Sequence, residues 1–188
     1  MITQTVMKLQ ASLVALMLVL FVLPLGVAHA GSAAEIDASV DAALKQFKNE
    51  VKGANDYLAA AKGVIVMPDV RKVGFVVGAQ WGEGALRVGG KTVDYYKMEA
   101  GSAGFQGGYQ KASFVFLFLT QASLDKFRAG EGYSVGVETG ITVMDSSTPA
   151  MSADTLKSKS SVVAFGFGKE GLMGGWSAKG TKFTKLKK

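Results

Sequence analysis

The sequence predicts an α+β fold in which antiparallel strands dominate, closed as a barrel or stacked as a sandwich. Three observations lead there. A helical apolar stripe is confined to residues 32–61, alternating or short apolar runs fill most of the chain from residue 63 onwards, and glycines are scattered through those runs. A segregated helix beside a series of strands is the α+β pattern. Glycine inside a strand marks a bend, a bulge or a close backbone approach, all of which tight curvature requires.

Residues 1–30 read as a signal peptide rather than as part of the fold. Lys8 gives a positive first region, residues 13–22 are an unbroken apolar run, and Pro24 and Gly26 then interrupt a helix. Ala28-His29-Ala30 satisfies the small-x-small cleavage rule, so cleavage is expected between Ala30 and Gly31. The apolar run with its flanks is nearly long enough for a membrane anchor. An anchor, however, seldom ends in Pro-x-Gly followed by Ala-x-Ala. Lipid attachment at the cleavage site would need a cysteine, and the chain has none. The expected product is one domain, 31–188, made of a helical segment over 31–62 and a glycine-rich β part over 63–188, periplasmic or secreted. A domain near ~150 residues buries roughly two thirds of its unfolded surface, so disulfides are not required for its stability.

Ser32-Ala33-Ala34-Glu35 is a capping box that starts the helix. Ile36, Val40, Leu44, Phe47, Val51, Ala54 and Leu58 recur at steps of three and four and share one face. Gly53 divides or loosens this stretch, which is one helix or two. Residues 63–67 form a short strand stopped by Pro68-Asp69. Strands over 72–80 and 85–88 follow, then Gly89-Gly90 as a primed hairpin turn, then the return strand 91–98. Residues 103–120 hold two more strands, of which 114–119 is apolar enough to be a central strand buried on both faces. A short internal helix covers 121–129, with Leu124 and Phe127 on one side. Residues 133–144 alternate, 145–154 form a loop, and strands over 160–168, 171–178 and 181–186 complete the β part.

Several function classes are poorly supplied. Gly90-Lys91-Thr92 resembles the end of a phosphate-binding loop, but Ala85 stands where that loop needs glycine and a strand follows instead of a helix. The Gly101–Gly108 cluster lacks dinucleotide spacing. Neither nucleotide nor any other cofactor is expected. The sole histidine, His29, leaves with the signal, which removes Ser-His-Asp catalysis and histidine-ligated zinc, and the lack of cysteine removes thiolate chemistry. Asp145-Ser146-Ser147 lacks the spacing of a calcium loop. Glu83, Asp94 and Glu99 are the carboxylates close enough in sequence to serve a hydrolase.

Charge points elsewhere. The chain carries 21 Lys and Arg against 15 Asp and Glu, a basic balance that favours anionic partners such as lipid head groups or nucleic acid, or simply solubilises the surface. Lys179, Lys182, Lys185, Lys187 and Lys188 crowd the last residues. On a strand, Lys185 and Lys187 project together, opposite Lys182 and Lys188. Such a cluster suits phosphates, and a solvated tail is the plain alternative.

The order of short motifs is also familiar. Residues 61–68 (Ala-Lys-Gly-Val-Ile-Val-Met-Pro), Lys72-Val73-Gly74-Phe75 and Trp81-Gly82-Glu83-Gly84 resemble the start of the SYLF lipid-binding domain. The sequel at 101–108, Phe127-Arg128, 162–165, 169–174 and Gly180-Thr181-Lys182 resembles the rest, so the likeness runs over about 44–186. The resemblance implies a non-catalytic domain that binds anionic phospholipid, with phosphatidylinositol or phosphoinositide-like head groups. Eukaryotic members join SH3 or FYVE domains in cortical-actin proteins, and bacterial members are often single-domain envelope proteins. With neither segment here, actin is not an expected partner of this secreted form, nor is nucleic acid. The candidate lipid-binding residues are Lys182, Lys185, Lys187 and Lys188, with Arg71, Lys72 and Arg87 beside the glycine-rich hairpins. The N-terminal helix is the other candidate for membrane contact. A small outer-membrane β-barrel is the alternative reading, and a carboxylate-only hydrolase the third.

Overall fold

Among the described residues, the β half of the sequence forms a single sheet of eight strands, with β5 and β6 at its two ends. The computed structural model describes residues 31–74, 77–103, 108–130, 132–135, 141–146, 150–171 and 180–188. The expected signal peptide, Phe75, residues 104–107, the middle of the 145–154 loop and most of the expected strand 171–178, with Lys179, lie outside them. The strands are β1 (Gly63–Gly74), β2 (Val77–Val88), β3 (Lys91–Ala103), β4 (Gly108–Phe118), β5 (Gly132–Val135), β6 (Ile141–Asp145), β7 (Val162–Gly171) and β8 (Thr181–Leu186). They lie in the order β5-β8-β3-β2-β1-β4-β7-β6. The helices are α1 (Ala33–Glu50), α2 (Ala54–Ala60), α3 (Gln121–Ala129) and α4 (Ala153–Lys159).

The α+β, β-dominated class holds, while the closure differs from both expected forms. The sheet is one open layer, and its β6–β7 pair is parallel, so it is mixed rather than wholly antiparallel. Its curvature is nevertheless that of a barrel wall. β8 and β4 are four places apart, which is roughly 19 Å in a flat sheet. Yet the Phe116 and Phe183 rings, one from each strand, meet edge-on at 5.2 Å. The sheet therefore rolls until β8 leans over β4, and α3 fills the gap at one end. Phe127 of α3 packs at 4.9 Å from Tyr96, 5.0 Å from Phe118 and 5.7 Å from Phe183. Alternation along β4 then explains two cores. Phe114, Phe116 and Phe118 point into the roll, while Val115 and Leu117 point to the other face. Strand 114–119 is central and buried on both faces, as its composition demands.

The outer face is covered by α1 over part of its length. The capping box forms: Ser32 Oγ accepts from the Glu35 amide at 3.3 Å, and Glu35 Oε2 accepts from the Ser32 amide at 2.7 Å. Ile36, Val40, Ala43 and Phe47 are its buried stripe. Phe47 meets Phe165 and Phe167 of β7 at 5.5 and 5.4 Å. Gly53, at φ 83°, ends the continuity and starts α2, so the helical segment is two helices. Tyr57 of α2 stacks on Phe165 at 5.3 Å and donates its hydroxyl to the Met151 carbonyl at 2.8 Å, which fixes the approach to α4.

Four local expectations change. Pro68-Asp69 does not stop the first strand; it is a bulge within β1, where pairing to both neighbours shifts register and Asp69 sits at φ 49°. The Asp69 amide is satisfied by Ser113 Oγ at 3.2 Å, so the strand resumes. The chain reversal consequently lies after Gly74, inside the stretch 72–80 expected as one strand. β4 is one strand rather than two, and β5 and β6 are separate strands at opposite ends of the sheet. The helix α4, with Ser152 capping the Thr155 amide at 3.1 Å, begins inside the expected 145–154 loop and runs up to the strand expected from 160. The Gly89-Gly90 turn holds, with φ of 58° and 80°.

Candidate functional site

The seven residues singled out for lipid contact do not form one cluster. β8 is an interior strand between β3 and β5, so 181–186 is not a solvated tail. Lys185 and Lys182 lie on opposite faces, as alternation requires. Lys185 Nζ is 2.5 Å from Asp94 Oδ1, and Arg128 Nε of α3 is 3.6 Å from the other oxygen. Lys188 reaches back to the start of α1, donating to the Gly31 carbonyl at 2.5 Å and lying 3.8 Å from Glu83. Lys182 is exposed and stands opposite Glu99, and Lys187 is exposed beyond the strand end.

Arg87 holds α1 to the sheet. Its Nη1 is 2.6 Å from Asp41 and its Nη2 is 3.8 Å from Asp37. Asp37 also accepts from Thr92 Oγ1 at 2.7 Å and from the Tyr95 hydroxyl at 2.8 Å. The Thr92 hydrogen bond, more than any other influence, holds the Asp37 carboxyl below its ordinary 3.8. The Tyr95 phenol is pushed up, chiefly because it donates to that carboxylate. Arg87 is thus committed to two carboxylates.

Arg71 and Lys72, neighbours in sequence, project to opposite faces of β1. Arg71 stands in a row on the outer face: Trp81 opposite it on β2 and Lys111 opposite it on β4. The next row on that face is Ala79–Val73–Tyr109. Trp81 is 38% exposed, Val73 37% and Tyr109 49%, three of the five large apolar side chains exposed among the described residues. This part of the outer face lies beyond α1. It presents two aromatic rings, a valine and an alanine around an exposed arginine, with Lys111 at its side. Lys111 Nζ is 3.2 Å from Asp69. Side chains with an apolar body and a polar tip suit a boundary between water and an apolar phase. The sequence reading found Arg71 but missed Trp81, Val73, Tyr109 and Lys111. Their common face is set by the β1–β2 and β1–β4 registers, which the Pro68-Asp69 bulge shifts.

The carboxylates considered for hydrolysis are divided by the sheet. Asp94 is opposite Leu86 and faces the roll, whereas Glu83 and Glu99 are on the outer face. Glu99 is 2.6 Å from Lys97. Among the described residues no group of three or more His, Cys, Asp or Glu is placed to hold a metal ion, and no helix is long and apolar enough to cross a membrane.

Residues 99–188 match the model of the family Ysc84, described as Las17-binding protein actin regulator. This is the SYLF family that the motifs resemble. The match takes in the end of β3 and everything from β4 to β8, and so Tyr109 and Lys111, while α1, β1 and β2 lie before it. No curated protein matches the chain. The matched family suggests lipid or actin-related binding.

Proposed function

We propose that this protein binds anionic phospholipid at an envelope membrane without catalysing a reaction, and that the outer sheet surface around Trp81, Arg71 and Lys111 makes the contact. The observation that carries the reading is the pairing of exposed aromatic rings with basic side chains on one face of three adjacent strands, left open by α1. Each basic residue near an anionic surface contributes about 1 kcal/mol, and aromatic rings settle at head-group depth. Head groups of the phosphatidylinositol type are the ligands that the family resemblance suggests. Lys182 and Lys187, both exposed, are secondary contributors. The envelope location rests on the signal-peptide pattern of residues 1–30. The absence of chemistry rests on the loss of His29 with that segment and on the division of Asp94 from Glu83 and Glu99.

Co-sedimentation with vesicles tests the reading. Vesicles containing phosphatidylglycerol should bind the protein, and pure phosphatidylcholine vesicles should not. Trp81→Ala with Tyr109→Ala, or Arg71→Glu alone, should reduce binding at least several-fold while the melting temperature holds. Equal binding by these variants would remove the surface from consideration. Loss of binding in ~1 M salt, where the Debye length is about 3 Å, marks electrostatic attraction; binding that survives assigns the contact to the aromatic rings. The outer-membrane barrel reading fits less well. Such barrels close with antiparallel strands, whereas this sheet is open, has a parallel pair and packs α1 across one face.

A further inference from the structure

Glu83 of β2 and the residue just ahead of the α1 cap are 52 positions apart in sequence, yet they meet. The Gly31 backbone nitrogen donates to Glu83 Oε2 at 3.1 Å. The place is confined by a second carboxylate. A Cβ on Gly31 would lie 3.4 Å from Ile36 Cγ1, 3.6 Å from Glu83 Oε2 and 4.0 Å from Glu35 Oε2. The Glu83 side chain is 27% exposed, and Glu35 accepts from the Ser32 amide. Two lysines face Glu83 from other elements. Lys188, at 3.8 Å, gives its hydrogen bond to the Gly31 carbonyl, and Lys97, opposite on β3, is paired with Glu99. Gly31 is also the first residue of the compact unit that holds the sheet. The start of the folded unit therefore coincides with the bond that the small-x-small rule selects for cleavage.

We infer that Glu83 is the receptor for the amino terminus that processing creates, so that removal of residues 1–30 adds an ion pair between the start of α1 and the sheet. The inference rests on the signal-peptide reading. Hydrolysis breaks the C–N bond between Ala30 and Gly31. The oxygen of water joins the Ala30 carbonyl carbon as a carboxylate, and both its protons go to the Gly31 nitrogen. The nitrogen that donates to Glu83 thereby changes from an amide to an ammonium. Its hydrogen bond becomes charge-assisted and roughly twice as strong. A cation at that place needs a counter-charge, because the start of a helix repels it. Glu83 from the sheet supplies that charge, with Glu35 from the helix beside it. The mature chain thus gains a fastening of α1 that the precursor lacks.

The experiment uses the full reading frame, exported and processed by the expression host, with carbon-labelled glycine incorporated. Intact mass first establishes where the chain begins. The Gly31 Cα resonance is then followed from about pH 6 to about pH 10, across the ordinary α-amino range of about 7.7–8.0. The wild-type amine should titrate above that range. Glu83→Gln, which keeps an acceptor oxygen but no charge, should return it to the range or below. A second variant inserts a glycine between Ala30 and Gly31. Processing after Ala30 then leaves an amide on Glu83 and carries the ammonium one residue away. An amine whose folded value is raised stabilises fully below its unfolded value and loses that contribution as pH rises through the folded one. The insertion should therefore lower the melting temperature by about 2 °C or more at about pH 7 and leave it unchanged at about pH 10. If Glu83→Gln does not fold, the wild-type titration and the insertion decide. An amine that titrates at or below the ordinary range, one that stays raised in Glu83→Gln, or an insertion without effect at neutral pH overturns the inference and leaves the signal-peptide reading intact. A mass that places the start anywhere but Gly31 overturns both.

Discussion

A side chain at position 84 has nowhere to go. A Cβ on Gly84 would overlap the Val66 carbonyl oxygen and come within 2.7 Å of Met67 Sδ. Backbone cannot yield as a flexible side chain does, so Gly84→Ala should abolish cooperative unfolding, read by thermal denaturation. Phe116 makes the complementary case. It is buried in the roll between Phe183 and Phe114, whose ring centroids lie 5.2 and 6.3 Å away. Phe116→Ala should cost about 3–5 kcal/mol in denaturant titrations, as other truncations of large buried rings do. Tyr96 reports the same interior through its proton. Burial, aided by the charge of Asp94, pushes its phenol up to about 12 from 10.0. The neutral phenol is therefore the form that the fold favours. The stability it contributes is complete below pH 10.0 and is lost as pH rises towards about 12. Tyr96→Phe should flatten that part of the alkaline unfolding profile.

The helix α1 is held at its start by its cap and along its length by Arg87. Ser32→Ala removes the cap and should cost about 1 kcal/mol. The Asp37 carboxyl titrates below its ordinary 3.8, so its contribution is present above that value and disappears as pH falls through the lower folded one. Asp37→Asn should lower the melting temperature at neutral pH and reduce its dependence on acid. The contacts of Arg87, Lys185 and Lys188 also alter what charge reversal does. Lys185→Glu sets a carboxylate against Asp94, and Lys188→Glu sets one against Glu83, so both should lower the melting temperature before any effect on binding is measured. The helices α1 and α3 were legible because periodicity and capping are local, as was the two-glycine turn at 89–90. The β1–β2 turn was not legible, because Pro68-Asp69 is a stop signal in isolation and becomes a bulge only when Ser113 of a distant strand satisfies its amide. The candidate surface was hidden for the same reason. Val73 and Tyr109 read as ordinary strand residues, and Trp81 falls between the strands expected over 72–80 and 85–88, until registers place them on one uncovered face. The charges of β8 were visible, but not that Asp94 and Glu83 stand ready to neutralise them.

At the scale of the whole molecule, one sheet does the work of two layers. Rolling gives it an inner core closed by α3 and an outer core covered by α1, α2 and α4, and leaves a strip of β1, β2 and β4 uncovered outside. Processing is a separate matter: on the proposed signal-peptide reading the mature protein should begin at Gly31, and an intact mass that retains Met1 would contradict that reading. The place of β8 in the sheet has a consequence for synthesis. Residues 132–135 pair with residues 181–186, which in turn bridge them to β3. β5 therefore has no partner while the ribosome is still translating the residues between, and β6 likewise waits for β7. The nascent chain can assemble β3-β2-β1-β4 early, but the β6 margin stays unpaired until β7 emerges and the β5 margin until β8 does. A polypeptide that completes its fold so late stays open through most of its synthesis, and a stop codon at position 181 would cost two strands rather than one.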